Sequence, residues 1–118
     1  MQKAYRLTSR DDFQKVYRSG KSSANKQFVV YVLHRPQTPQ FRVGISASKK
    51  IGSAVVRNRM RRVIKEIVRS HAEKIAEHVD FIIIVRKPAV EQNYEEMERS
   101  LLHVFRRAAL IPSRPRIG

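Results

Sequence analysis

No cysteine occurs in the 118 residues, so neither a disulfide framework nor a thiolate metal site is available, and a reducing, intracellular setting is expected. No apolar run approaches the roughly 20 residues that a membrane span requires. The opening MQKAYRLTSRDDF lacks the apolar block of a signal peptide. These absences predict a cytoplasmic protein without a membrane partner. Acidic residues are also scarce: ten Asp and Glu stand against 25 Lys and Arg, a formal net charge of +15, and between Asp12 and Glu66 there is no carboxylate at all. Such a surplus repels itself in the folded state and is ordinarily balanced by a polyanion, so nucleic acid is the expected partner. Catalytic constellations are missing too. Asp11 and Asp12 read as helix-cap acids, Asp80 as a strand-edge residue, and Glu95, Glu96 and Glu98 as a solvated helix face. The histidines at 34, 71, 78 and 103 share no metal-ligand spacing. No catalytic residue and no protein-bound metal are expected.

What is present suffices for one domain spanning residues 1–118, with loose ends at 1–6 and 112–118. Its apolar fraction of 42% is enough for an ordinary core. LTSRDDFQKVYRSG reads as a short helix, with Ser9 and Asp12, or Thr8 and Asp11, as the N-terminal cap pattern and Gly20 as the stop. Phe13, Val16 and Tyr17 share one of its faces. QFVVYVLHR is a strand closed by Pro36 and Pro39, and FRVGISAS is a second, expected to pair antiparallel with it. A further short strand is placed around 21–24. From 53 to 77 the period becomes helical, with Val56, Met60, Val63, Ile64, Ile67, His71 and Ile75 on one stripe. DFIIIVRKP is a buried strand ended by Pro88. Residues 91–110 form a last helix with acids in its first turns and Arg106 and Arg107 in its last; its core stripe is Tyr94, Met97, Leu101, Leu102, Val104 and Phe105. The reading is α+β: helices packed on a mixed sheet in the order α-β-β-β-α-β-α.

The informative stretch is SKKIGSAVVRNRMRRVIKE, residues 48–66, with seven cations and no acid before its last residue. On a helical wheel Asn58, Arg61, Arg62, Lys65 and Arg69 lie opposite the apolar stripe, while Arg57 and Arg59 flank it. A solvated helix face usually alternates sign and pairs Glu with Lys at i, i+4. This one places Arg57 with Arg61, Arg61 with Lys65 and Lys65 with Arg69. It also sets cations in the first turns, where the helix dipole disfavours them. Violations that run in one direction mark function. A phosphate backbone reverses each penalty: Lys49, Lys50 and the N–H groups at Ser53 would cradle phosphate, and the arginines would bind it bidentately. Six to eight such contacts predict a log–log salt slope of about −4 to −7.

The same run resembles the RNR signature of the bacterial ribonuclease P protein family. DDFQKVYRSG, FVVYVL, RVGISASKKIG and FIIIVRKPA follow that family's pattern in order. The resemblance implies a four-stranded sheet flanked by helices, with the basic helix carried on a left-handed βαβ crossover, against the usual right-handed rule. It implies that Lys49, Lys50, Arg57, Asn58, Arg59, Arg61, Arg62 and Lys65 contact the ribonuclease P RNA; Ser53 at the helix start and Arg69 on the charged face of the wheel extend that surface. It further implies that Phe13, Tyr17, Val29 and Tyr31 line a cleft for the single-stranded 5′ leader of precursor tRNA, and that the RNA, using Mg²⁺, performs the hydrolysis.

Read from the residues alone, Phe13 and Tyr17 at i, i+4 and Val29 and Tyr31 on one strand face fit either core packing or a stacking platform beside Lys15 and Arg18. Two other classes share the charge. A structural RNA-binding protein, such as a ribosomal component, predicts RNA binding without an effect on tRNA processing. A helix-turn-helix DNA binder would need a short helix just before the basic one, and none is legible.

Overall fold

The computed structural model describes residues 5–113; the remainder of the two ends expected to be loose lies outside the described residues. The cap pattern at Ser9 operates as predicted, its side chain accepting from the Asp12 N–H to open α1 (Arg10–Ser19). The chain continues through β1 (Lys21–Ala24), β2 (Phe28–His34), β3 (Arg42–Ser46), α2 (Ala54–Ser70), β4 (Val79–Val85) and α3 (Tyr94–Arg107). This is the expected α+β order, including the short strand at 21–24. Asn93 opens α3 with a full capping box, exchanging 2.9 Å hydrogen bonds with Glu96.

The strand order is β1-β2-β4-β3, and it corrects the expected pairing of the second and third strands. β4 inserts between them, antiparallel to β2, with Val30 opposite Ile83, and parallel to β3, with Ile45 opposite Ile83. The physical reason lies in β4 itself. It is apolar on both faces, and all but one of its residues are buried, which only a central strand covered on both sides satisfies.

The two sheet faces follow from strand alternation. Phe28, Val30, Val43, Phe81, Ile83 and Val85 point to one side. There α2 contributes Met60, Ile64, Ile67 and Val68, and α3 contributes Met97, Leu101, Val104 and Phe105, to a single buried core. A fully buried side chain of this size contributes about 1.5–3 kcal/mol, so stability is concentrated here. An aromatic chain runs through it, Phe41 and Phe105 each 5.7 Å from the Phe81 ring. Tyr5, expected in a loose end, packs 4.8 Å from Phe41, and Arg6 bridges to Val43.

The opposite face holds a much smaller cluster, Leu7, Val16 and Ile82, flanked by Phe13, Tyr31, Leu33 and Ile84. It also holds Asp80, which is 0% exposed and is no strand-edge acid. Arg42 grips its two oxygens at 2.8 and 2.7 Å. Nη1 of Arg35 lies 3.5 Å from Asp80 and 3.6 Å from Asp12, and Arg42 lies 3.4 Å from Asp12. The hydrogen bond to Asp80 raises the Arg42 pKa against the opposing effect of its own burial.

Three further expectations are corrected. α2 stops at Ser70 rather than continuing to 77: the His71 N–H is shared between the Ile67 and Val68 carbonyls, and a 3₁₀ turn, Ala72–Lys74, follows. His71 is half-buried, its Nε2 3.0 Å from Glu98 of α3, so it is a polar link and no part of the apolar stripe. Tyr94, the first residue of α3, is 40% exposed because the first turn projects beyond the core.

Candidate nucleic-acid interface

The cationic surface is built from α2 outward. The apolar stripe at Met60, Ile64 and Ile67 fixes the helix against the sheet, which turns the remaining faces to solvent. A 3₁₀ turn, Lys49–Ile51, precedes α2, and Gly52 joins the two at φ 152°, a conformation that side chains rarely adopt. Lys49 and Lys50 are exposed on that turn, beside the Ser53 cap, whose hydroxyl accepts from the Val56 N–H. Asn58, Arg59, Arg62, Lys65 and Arg69 are exposed along the helix.

The structure sorts the nominated cations by what they already bind. Among the described residues, Lys49, Lys50, Arg59, Arg62 and Lys65 have no carboxylate partner. Arg61 folds back, donating to Asn58 Oδ1 at 3.2 Å and to the Ala47 carbonyl at 3.3 Å, so it ties α2 to the end of β3. Arg57 is half-buried on the flank. Arg69 pairs with Glu66, whose carboxyl it holds below the usual range by hydrogen bonding. The uncompensated charge thus runs from Lys49 to Lys65 and ends at this pair. A shallow groove of about 370 Å³ follows it between Asn58, Arg61, Arg62, Lys65, Glu66 and Arg69.

The second nominated site lies on the α1 side of the sheet, where cross-strand partners form rows. Leu33, Asp80 and Arg42 make one row; Ser22, Tyr31, Ile82 and Gly44 make the next; Ala24, Val29, Ile84 and Ser46 make a third. α1 lies across the middle row. At one end the Phe13 ring sits on Gly44, so close that a Cβ there would fall 2.3 Å from Cζ. One turn later Tyr17 meets Tyr31 edge-on, with ring centroids 5.3 Å apart. Phe13 is thereby a wedge fitted to a glycine, whereas Tyr17, 40% exposed, presents an aromatic edge to solvent. Lys15 and Arg18 stand exposed on the outer side of α1.

The third row is left uncovered. Val29, Ile84 and Ser46 are half-buried and Ala24 is exposed, so this row forms a partly open, mostly apolar floor beside Tyr17 and Tyr31. Of that floor the sequence picked out only Val29. Ile84 sits in the run FIIIV, where uniform hydrophobicity hides which residues share a face. Ser46 could not be placed beside it while β3 was paired with β2. Among the described residues, no group of three or more His, Asp or Glu converges in a way that could hold a metal ion.

Fold and surface together define a class: a small α+β protein with one face of its sheet sealed, the other half-open, and a polycationic helix directed outward. The family model described as Ribonuclease P matches residues 1–109. The ribonuclease P protein component of Bacillus cereus (strain B4264) is 49% identical over 110 residues, covering 93% of this chain and 96% of that protein. The ribonuclease P protein of Staphylococcus aureus superposes with a TM-score of 0.87 at 42% identity, covering 92% of this chain and 99% of the other. That of Thermotoga maritima gives 0.79 at 30% identity, covering 86% and 96%. The chain belongs to the ribonuclease P protein family. It is accordingly a subunit of the ribonuclease P holoenzyme, the endoribonuclease of tRNA 5′ processing, in which it acts with an RNA subunit. Among the described residues no helix is long and apolar enough to cross a membrane.

Proposed function

We propose that within ribonuclease P this chain supplies binding and the RNA subunit supplies the chemistry. The uncompensated cations Lys49, Lys50, Arg59, Arg62 and Lys65 dock on the ribonuclease P RNA, with Ser53, Asn58 and the partly engaged Arg57, Arg61 and Arg69 completing that surface. The open row beside Tyr17 and Tyr31 receives the 5′ leader of precursor tRNA, with Val29 and Ile84 beneath the bases and Lys15 and Arg18 near the backbone. Phe13 serves the cleft from below by holding α1 on Gly44. Mg²⁺ would be held by the RNA subunit rather than by this chain, and would supply there the activation of water and the stabilisation of the leaving oxygen. The protein's charge offsets phosphate repulsion, so that less Mg²⁺ is needed.

The observation that carries this reading is the segregation of charge. Asp12 of α1 and Asp80 of β4 are used internally by Arg35 and Arg42, while the exposed run from Lys49 to Lys65 is left without acids. A fold that can pair its arginines inside, and leaves these unpaired outside, has an external polyanion to meet.

The test is cleavage of a 5′-extended precursor tRNA at low Mg²⁺ by a bacterial ribonuclease P RNA alone, by the protein alone and by both together. Cleavage only in the mixture is expected. Cleavage by the protein alone would return the chemistry to its side chains. A silent mixture, with the same RNA active at high Mg²⁺, would favour a purely structural RNA-binding role.

A further inference from the structure

The cleft has two walls, and only one of them is part of a rigid sheet. The other is α1, which rests on a cluster with just three fully buried apolar residues, Leu7, Val16 and Ile82. Apolar burial on that scale orients a helix weakly, because a small contact tolerates rolling about the helix axis far better than an interlocked core does. At its C-terminal end α1 is tied covalently, since Gly20 leads straight into β1 at the sheet edge. At the other end the segment before α1 is bonded to β3 through Leu7 and Val43 and the Phe13 ring seats on Gly44, and beside these the first turn has an electrostatic tie. Asp12 reaches down to Arg35 at 3.6 Å and Arg42 at 3.4 Å, and both arginines are held from beneath by the fully buried Asp80.

This four-charge group occupies the row on one side of α1, and the open row lies on the other. Asp80 and Ile84 are four residues apart on β4, about 13 Å at the usual rise per residue, so Asp12 is too remote to touch a nucleotide lying over Ile84. It adjoins Phe13 in sequence, however, and the Phe13 ring is seated on Gly44 with no room to spare. Pulling Asp12 toward the arginines on one side of the helix sets the rotation of α1, and hence the distance of Tyr17 from the open row on the other.

We infer that Asp12 is a positioning residue for leader recognition, acting through α1 as the movable end of a latch whose fixed part is Arg35, Arg42 and Asp80. The inference rests on the reading of the open row as the leader site. The arginines and carboxylates are matched two to two, so the latch adds nothing to the polycationic surface and is separable from RNA-subunit binding.

The experiment compares Asp12→Ala and Asp12→Glu with the parent in holoenzyme reconstituted on a bacterial ribonuclease P RNA, with Tyr17→Ala alongside. It reads the ratio of precursor to mature tRNA affinity and, separately, the affinity for the RNA subunit. With Asp12→Ala the ratio should fall about three- to tenfold, the scale of one lost, partly shielded ion-pair anchor. RNA-subunit affinity should stay within about twofold, and Asp12→Glu should recover part of the ratio. Should the alanine variant not fold, Asp12→Asn removes the charge while keeping the shape and gives the same readout. A parallel loss of both affinities would overturn the positioning role, since it would show Asp12 serving only the fold. An unchanged ratio for Asp12→Ala beside a reduced one for Tyr17→Ala would overturn the latch and leave the leader site standing. An unchanged ratio for both would remove the leader site and the latch with it.

Discussion

The two sides of the sheet are built on different principles. On one side α2 and α3 close over Phe28, Val30, Phe81 and Ile83 to give a dry, continuous core. On the other a single ten-residue helix covers two of three rows, held by a small apolar cluster and four charges. The difference teaches where each task resides: the sealed side carries the stability, and the half-covered side can spare a row of the sheet for a ligand. Polar anchoring suits the second side, because ion pairs and hydrogen bonds fix direction, whereas more apolar area would have filled the groove.

Five variants test that contrast. The largest effect is expected where it looks least true. Arg42→Met leaves Asp80 buried without its bidentate partner and should cost about 3–5 kcal/mol in denaturant unfolding; a loss below about 1 kcal/mol would show the latch to be incidental to the fold. The contrast sharpens at two neighbours on β4. Ile83 is fully buried on the sealed side and Ile84 half-buried on the open one. Ile83→Ala should cost about 2–5 kcal/mol and Ile84→Ala less than half as much, while only the latter lowers preference for precursor tRNA. Equal stability losses would mean that the third row is as closed as the first two. The smallest effects should separate cleanly by ligand. Tyr17→Ala should weaken precursor binding by about 1–3 kcal/mol and leave the RNA subunit bound. Reversal of Arg59 and Arg62 to Glu should do the opposite. Five uncompensated cations give a parent salt slope of about −3.5 to −4.5, and the reversal should flatten it by about two. A slope unaltered by the reversal would place the RNA contact elsewhere.

Much of this organisation is legible in the sequence. The cap at Ser9, the period of α2 and the one-signed charge of residues 48–66 are local patterns, and local patterns survive into the fold. The strand order was not legible from the strands themselves, because β4 is apolar at nearly every position and alternation cannot assign its faces or its neighbours. Its uniformity did signal burial on both sides, and a central position was the available deduction. Asp80 was misjudged for a related reason: an acid at the start of an apolar strand looks peripheral until the partners that neutralise it, 38 and 45 residues earlier, are brought beside it. Arg61 and Arg69 stand in the same periodic run as the free cations, and only side-chain geometry shows that one is tied to a carbonyl and the other to Glu66.

The insertion of β4 also sets the order of assembly during synthesis. As the chain leaves the ribosome, β1 and β2 can form a hairpin, but β3 has no neighbour to join. The gap between β2 and β3 is filled only when residues 79–85 arrive, after the whole of α2 has been made. Parallel pairing across such a separation carries the entropic cost of a long loop before any contact repays it. The nascent polypeptide therefore exposes its polycationic helix to solvent before the complete sheet is there for that helix to rest on.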